Sequence, residues 1–304
     1  MKILILYANR AEKSILDPVV KEFQKRKLKY EYVDLSSLIS EIDLDKNLSK
    51  IYDIVYKYAT DNDIKFAIVI GDRREIVFAT MALFIKHIPV YQMASGDLSG
   101  KICLVDDYFR HVVTILSAKQ ICFSERSLNL TNSLLNTTNL SPNSLYAPNP
   151  TLNDVDIESL IRPISNDYDL ILMHPQSLSR KATLKDSRQL LSCVNFTKMN
   201  IVICGNHDEN YDIYSDLWLQ LSNNNNFIIY DNLPKQKFLS FLKNADKFIT
   251  NSSCSYYEAP IFLDESKIVR IGARNKEREI VNYNLQEIKS AKKIVDFMLK
   301  NDYN

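Results

Sequence analysis

The sequence predicts an α/β protein of two doubly wound Rossmann-like domains facing a central cleft. Three observations carry that reading. Short apolar runs alternate with amphipathic stretches along the chain, the pattern of βαβ units around a parallel sheet. At 304 residues the chain exceeds what one hydrophobic core usually supports, so two domains follow. The alternation stops once, between Leu128 and Asp156, where Asn, Ser, Thr and Pro dominate and Ser141-Pro142-Asn143 and Ala147-Pro148-Asn149-Pro150 act as breakers. The expected division is residues 1–156, residues 157–284 and a last segment, 285–304, that packs back on the first domain.

In the first domain, residues 2–7 form a short apolar strand and 11–25 an amphipathic helix, followed by a strand at 30–33. Further strands are expected at 66–70, 90–94 and 120–123, with helices at 48–60, 75–86 and 107–118. The run Phe66-Ala67-Ile68-Val69-Ile70 is too short for a helix and is closed by Gly71, so it reads as a buried parallel strand. In the second domain the strands fall at 169–173, 200–204, 227–230, 247–250 and 267–271. The segment 285–299 carries Ile288, Ala291, Ile294, Val295 and Met298 on one helical face, which must pack on something.

Composition narrows the function. Lysine plus arginine nearly balance aspartate plus glutamate, and a formal charge of +1 gives no electrostatic reason to expect nucleic acid or an acidic membrane. The opening run is too short to span a bilayer and lacks a small-residue cleavage site, so a cytoplasmic protein is expected. The five cysteines are widely spaced with no CxxC pair and read as buried free thiols. No carboxylate and histidine cluster has the spacing of a dedicated metal site, and no cofactor is expected.

Ligands of open α/β sheets sit at the carboxyl ends of the strands. In the first domain those ends carry Arg10, Asp72, Arg73, Asp97 and the cluster Asp106-Asp107-Tyr108-Phe109-Arg110-His111. In the second they carry His174, Asn206-His207-Asp208, Ser252, Ser253, Glu258 and the run Arg274-Asn275-Lys276-Glu277-Arg278. Each has a plainer reading. Asp72 can cap the following helix, Asp106 and Asp107 are ordinary first-turn acids, His174 can be a structural hydrogen-bonder, and 274–278 can be solvated surface.

Together these motifs resemble the UDP-N-acetylglucosamine 2-epimerase family, in particular its hydrolysing, sialic-acid-pathway branch. The resemblance rests on Arg10-Ala11-Glu12, Gly71-Asp72-Arg73, Ile88-Pro89-Val90, Ser95-Gly96-Asp97 and Asp106 to His111. It continues through Met173-His174-Pro175, Asn244-Ala245-Asp246, Asn251-Ser252-Ser253 with Glu258-Ala259-Pro260, and Ile271 to Arg278. It implies a glycosyltransferase-B-like fold, a UDP-sugar substrate and a possible homodimer. By matching position, Asp72, Asp97, Asp107 and His174 would be catalytic. Arg10, Arg73, Arg110, Ser252, Ser253, Glu258 and Arg274 would bind substrate, with Glu258 on the ribose and the two serines, at a helix N-terminus, on the diphosphate. The implied reaction removes the C2 proton, expels UDP to give a 2-acetamidoglucal and re-adds on the other face. A glycosyltransferase of the same fold and an inactive nucleotide-sugar binder are the alternatives. Two stretches depart from the family. Ala94-Ser95-Gly96-Asp97 replaces Gly-Gly-Glu, and Cys254-Ser255-Tyr256-Tyr257 stands where the family has a small-residue, glycine-containing turn against the phosphates, so the tyrosines are expected to crowd or reshape the pocket.

Overall fold

A computed structural model describes residues 1–38, 44–98, 105–176, 179–205, 209–276, 278–280 and 289–300, with side chains left aside for 44–47. The readings at Asn206, His207, Asp208, Glu277 and Cys103, and the start of the last segment, fall outside these residues. The chain divides into two compact units, Met1–Asp154 with Tyr283–Asn304, and Val155–Asn282.

The first unit runs β1 (Lys2–Tyr7), α1 (Arg10–Lys25), β2 (Tyr30–Asp34), α2 (Leu44–Asp61), β3 (Ile64–Ile70), α3 (Arg74–Ile85), β4 (Val90–Met93), α4 (Val105–Leu116), β5 (Lys119–Cys122), α5 (Glu125–Thr137) and β6 (Ser144–Tyr146). The sheet is parallel, in the order β2-β1-β3-β4-β5-β6. Its centre is dry on both faces: Phe66, Ala67, Ile68, Val69 and Ile70 of β3 are all buried. Each fully buried isoleucine or valine there contributes on the order of 1.5–3 kcal/mol. The order of strands reverses between β1 and β3, and the loops leaving those strands carry Arg10 and Asp72.

The Asn, Ser and Thr-rich segment is more ordered than its composition suggests. Ser124 caps α5, its Oγ accepting from the Ser127 N–H at 3.0 Å, and β6 adds a sixth strand beside β5. The buried face of α5 is Ser127, Thr131 and Leu135, four residues apart, so the helical stripe is written in small polar side chains.

The second unit runs β7 (Tyr168–Met173), α6 (Arg180–Cys193), β8 (Met199–Cys204), α7 (Asp212–Leu221), β9 (Phe227–Tyr230), α8 (Lys235–Lys243), β10 (Lys247–Thr250), α9 (Cys254–Tyr257) and β11 (Ile268–Arg270). Its parallel sheet has the order β11-β10-β7-β8-β9, reversing between β7 and β10. Two doubly wound units are therefore present, as the alternation predicts.

The last helix, α10 (Ala291–Leu299), belongs to the first unit. It buries Ala291, Ile294, Val295 and Met298, and Arg26, the residue that caps the end of α1, pairs with Asp296 at 2.7 Å. The buried Lys119 ammonium donates to the carbonyls of Phe297 and Lys300 at 2.9 and 2.6 Å, closing the carboxyl end of α10. Among the described cysteines, Cys122 and Cys204 are buried free thiols, whereas Cys193 and Cys254 are only partly covered. Among the described residues no helix is long and apolar enough to cross a membrane.

Candidate active site

In the first unit two carboxylates, those of Asp72 and Asp107, and the backbone carbonyl of Asp97 meet on one arginine. Arg110, on α4, is 2% exposed. Its Nη2 pairs with Asp72, beyond the end of β3, and its Nη1 donates to the backbone carbonyl of Asp97 and, at 3.4 Å, to Oδ1 of Asp107. Asp97 and Asp107 are almost fully buried, whereas the Asp72 side chain keeps 26% of its surface. A buried carboxylate is tolerable only when charge and hydrogen bonds compensate it, and for Asp107 the guanidinium it shares with Asp72 does so. Asp97 also accepts from the Ser127 hydroxyl at 2.7 Å.

The capping reading of Asp72 does not hold. The residue before α3 is Arg73, and it makes no side-chain cap bond. Arg73 instead reaches Glu75 at 3.3 Å. Beside the cluster, His111 is half-buried, and burial together with Arg110 lowers its pKa. Arg10 opens α1 and is exposed.

In the second unit the site is built from amides, hydroxyls and arginines. Asn251, directly after β10, clamps the residue after β7: its Oδ1 accepts from the His174 N–H at 2.8 Å and its Nδ2 donates to the His174 carbonyl at 2.8 Å. The ends of β7 and β10 are thus tied at the strand-order reversal. Asn275 donates to the Asn251 carbonyl at 3.0 Å, and Arg274 donates to the Pro175 carbonyl at 2.6 Å. Ser252 opens a tight turn, its N–H on Thr250 Oγ1 at 2.9 Å, and Ser253 precedes α9 without a side-chain cap bond.

Glu258, half-buried at the end of that turn, has an enclosed Oε2 with no hydrogen-bond partner. Burial pushes its carboxyl up to about 7, against the opposing pull of Lys235 and Arg278. An enclosed acceptor of this kind suits a ligand's hydroxyl groups. Tyr256 and Tyr257 are both buried, Tyr256 under the Arg270 guanidinium at 4.4 Å and Tyr257 under that of Arg278 at 5.6 Å. They are held by the arginines of their own unit.

A family model described as UDP-N-acetylglucosamine 2-epimerase matches residues 3–296. The chain belongs to that family. It is 27% identical over 250 residues to a GDP/UDP-N,N'-diacetylbacillosamine 2-epimerase (hydrolyzing) of Campylobacter jejuni, covering 78% of this chain and 64% of that protein. It is 25% identical to the polysialic acid biosynthesis protein P7 of Escherichia coli, covering 73% and 58%. The chain thus matches less than two thirds of the length of these relatives. In fold it resembles the UDP-GlcNAc 2-epimerase of Neisseria meningitidis, solved with UDP-GlcNAc, at a TM-score of 0.75 and 17% identity over 99% of this chain and 100% of that one. The Methanocaldococcus jannaschii enzyme, with UDP-GlcNAc and UDP, gives 0.74 at 15% identity, covering 98% and 99%.

Within this family member, Asp72, Asp97, Asp107 and Arg110 come together. His174, Arg274, Ser252 and Ser253 share the strand-end region of the second unit. Three residues that organise these ends were not singled out from the sequence. Glu12 and Asn251 each lie inside a quoted motif but beside the residues chosen from it, Glu12 with the further, purely structural signal of an Asn9 helix cap, and Asp186 sits mid-helix without a motif.

Among the described residues no group of three or more His, Cys, Asp or Glu side chains is arranged to hold a metal ion.

Proposed function

We propose that this chain is a hydrolysing 2-epimerase of a UDP-linked N-acetylhexosamine, converting UDP-N-acetylglucosamine and water to N-acetylmannosamine and UDP. The observation that carries the proposal is the convergence on buried Arg110 of the Asp72 and Asp107 carboxylates and the Asp97 backbone, which brings three acidic residues to one place. Removing a weakly acidic C2 proton needs a carboxylate at hand, and returning one to the opposite face needs a second acid. Asp72 is the base in this reading because it alone of the three keeps appreciable exposure. Loss of the C2 proton breaks the C1–O bond, the electron pair leaving with UDP to give the 2-acetamidoglucal. Water then adds at C1 as a proton returns to C2.

In the second unit Glu258 would accept from the ribose hydroxyls. The hydroxyls and N–H groups of the Ser252–Ser253 turn would meet the diphosphate. Arg10, His174 and Arg274 would offset charge on the departing diphosphate, the role fixed cationic donors serve in such steps. Arg73 would meet the substrate beside Asp72. Arg110 acts by positioning the acids, since its guanidinium is engaged with them and shielded from solvent. The family membership and the hydrolysing relatives support C2 epimerisation, and the sialic-acid direction rests on the resemblance to protein P7.

Proton NMR of the purified chain with UDP-N-acetylglucosamine in D2O tests this. Deuterium at C2 with free N-acetylmannosamine is expected. Deuterium confined to UDP-sugars would mean a reversible epimerase, and transfer of the sugar to an added acceptor without C2 exchange would mean a glycosyltransferase. Binding without turnover would mean an inactive binder. A parallel incubation with UDP-N,N'-diacetylbacillosamine reads the sugar preference.

A further inference from the structure

We propose that Glu12 is a positioning residue for Asp72, an acid seated beneath Gly71 that fixes where the end of β3 delivers the base. The inference rests on the epimerase reading above and deepens it. A glutamate in the first turn of a helix ordinarily faces water, yet Glu12 is 6% exposed. Its Oε2 accepts from the Ala8 N–H at 2.6 Å, holding the end of β1. Its Oε1 lies against Gly71, where an added Cβ would stand 2.3 Å away, and Gly71 has φ +92. Only glycine fits that backbone and that approach. β1 and β3 are neighbours at the strand-order reversal, so one carboxyl joins the ends of both strands, and Asp72 is the next residue. The charged and titratable groups facing Glu12 are Asp72, Arg73 and Glu75, with Tyr32 on β2. Burial outweighs Arg73 and the Ala8 N–H and pushes the Glu12 carboxyl up to about 8. Above that pH a second negative charge forms against Asp72 and competes for the order that Arg110 imposes.

The experiment is a pH series of kcat and KM for the wild type, Glu12→Gln and Glu12→Ala. It is combined with carboxyl carbon-13 NMR of Glu12 and Asp72 in the wild type and with UDP affinity for all three. Expected is a wild-type kcat that falls above about pH 8. Glu12→Gln should keep kcat within about threefold at neutral pH and lose the alkaline fall. Glu12→Ala should lose about ten- to a hundredfold in kcat with UDP affinity retained. The Asp72 carboxyl signal should step at the Glu12 midpoint. The proposal is overturned if Glu12→Gln is as impaired as Glu12→Ala, if the alkaline fall survives in Glu12→Gln, or if Asp72 is blind to Glu12. A wild type without C2 exchange would sink the epimerase reading separately, and the NMR coupling, which needs neither turnover nor a variant, would then decide this one.

Discussion

The two units share a plan and differ in what they put at its open end. Each sheet reverses its strand order once, and near each reversal a buried acid lies against a left-handed glycine. Glu12 lies beneath Gly71, and Asp186 lies against Gly272, which has φ +69 and where a Cβ would stand 2.2 Å from Asp186 Oδ1. Burial raises the pKa of both acids. Beyond this brace the units diverge. The first gathers carboxylates on one buried arginine, whereas the second offers an amide, hydroxyls and the partly exposed Arg274 and Arg278. The lesson is that the winding supplies positions and the sign of charge at the strand ends divides the work. Proton transfer suits the first unit and holding an anion suits the second.

The hardest test of that division is Arg110→Met. Removing one partner of a buried charged network strands the others, which costs about 3–5 kcal/mol. Chemical denaturation should show a loss of that size, and C2 exchange should vanish. UDP affinity, read by calorimetry under conditions where the variant is folded, should stay within about twofold, because Glu258 and the Ser252–Ser253 turn are held by partners within the second unit, none of them Arg110. A fall in UDP affinity as large as the fall in exchange would dissolve the division.

Glu258→Gln sharpens the other side. Hydrogen bonds to a charged group contribute about 1.5–3 kcal/mol, so UDP affinity should fall roughly ten- to a hundredfold. The first unit should keep its stability. The pH dependence has a definite sign. Burial raises this carboxyl to about 7, so the acceptor form needed for ribose hydroxyls grows as pH rises through 7. Wild-type UDP affinity should therefore strengthen between about pH 6 and 8. Glu258→Gln should flatten that rise, and a rise that persists would remove Glu258 from the ribose site.

Much of the fold was legible because apolar runs such as Phe66 to Ile70 and Ile201 to Cys204 are buried on both faces and have one reading. Between Leu128 and Asp156 the composition reads as a break in the alternation, and α5 is hidden there because its buried stripe uses Ser127 and Thr131, residue types that signal a loop. In the candidate site, the strand-end positions of Asp72 and His174 followed from the alternation, and the motif order named the family. The joining of Asp72, Asp97 and Asp107 by Arg110 was hidden. It depends on a pair 38 residues apart in sequence, and no local pattern encodes which arginine reaches which acid. The rings of Tyr256 and Tyr257 are buried beneath Arg270 and Arg278, a contact invisible to a scan of adjacent residues.

The smallest expected effect distinguishes the two braces. Asp186 Oδ2 accepts from Gln176 Nε2 at 2.8 Å and from Asn251 Nδ2 at 3.4 Å, whereas Glu12 accepts a single backbone N–H. Burial raises the Asp186 pKa against those two donors and the nearby Arg274 and Lys185. A raised folded pKa means the folded state holds its proton longer than the unfolded chain. The stability it contributes is complete below the unfolded pKa and is lost as pH rises through the folded one. Asp186→Asn keeps an oxygen that can accept from one amide, so it should cost about 1 kcal/mol or less at neutral pH. It should also remove part of the decline in stability expected as pH rises from acid toward neutral. Asp186→Ala strands both amides and should cost about 1–3 kcal/mol. Urea denaturation across pH reads all of this. If Glu12→Gln flattens the profile up to about pH 8 while Asp186→Asn flattens only its acid end, one brace works as a neutral acid and the other as an acceptor. That is the distinction their surroundings require, since Asp72 and Glu75 crowd Glu12 with negative charge, while Asp186 faces amides and cations.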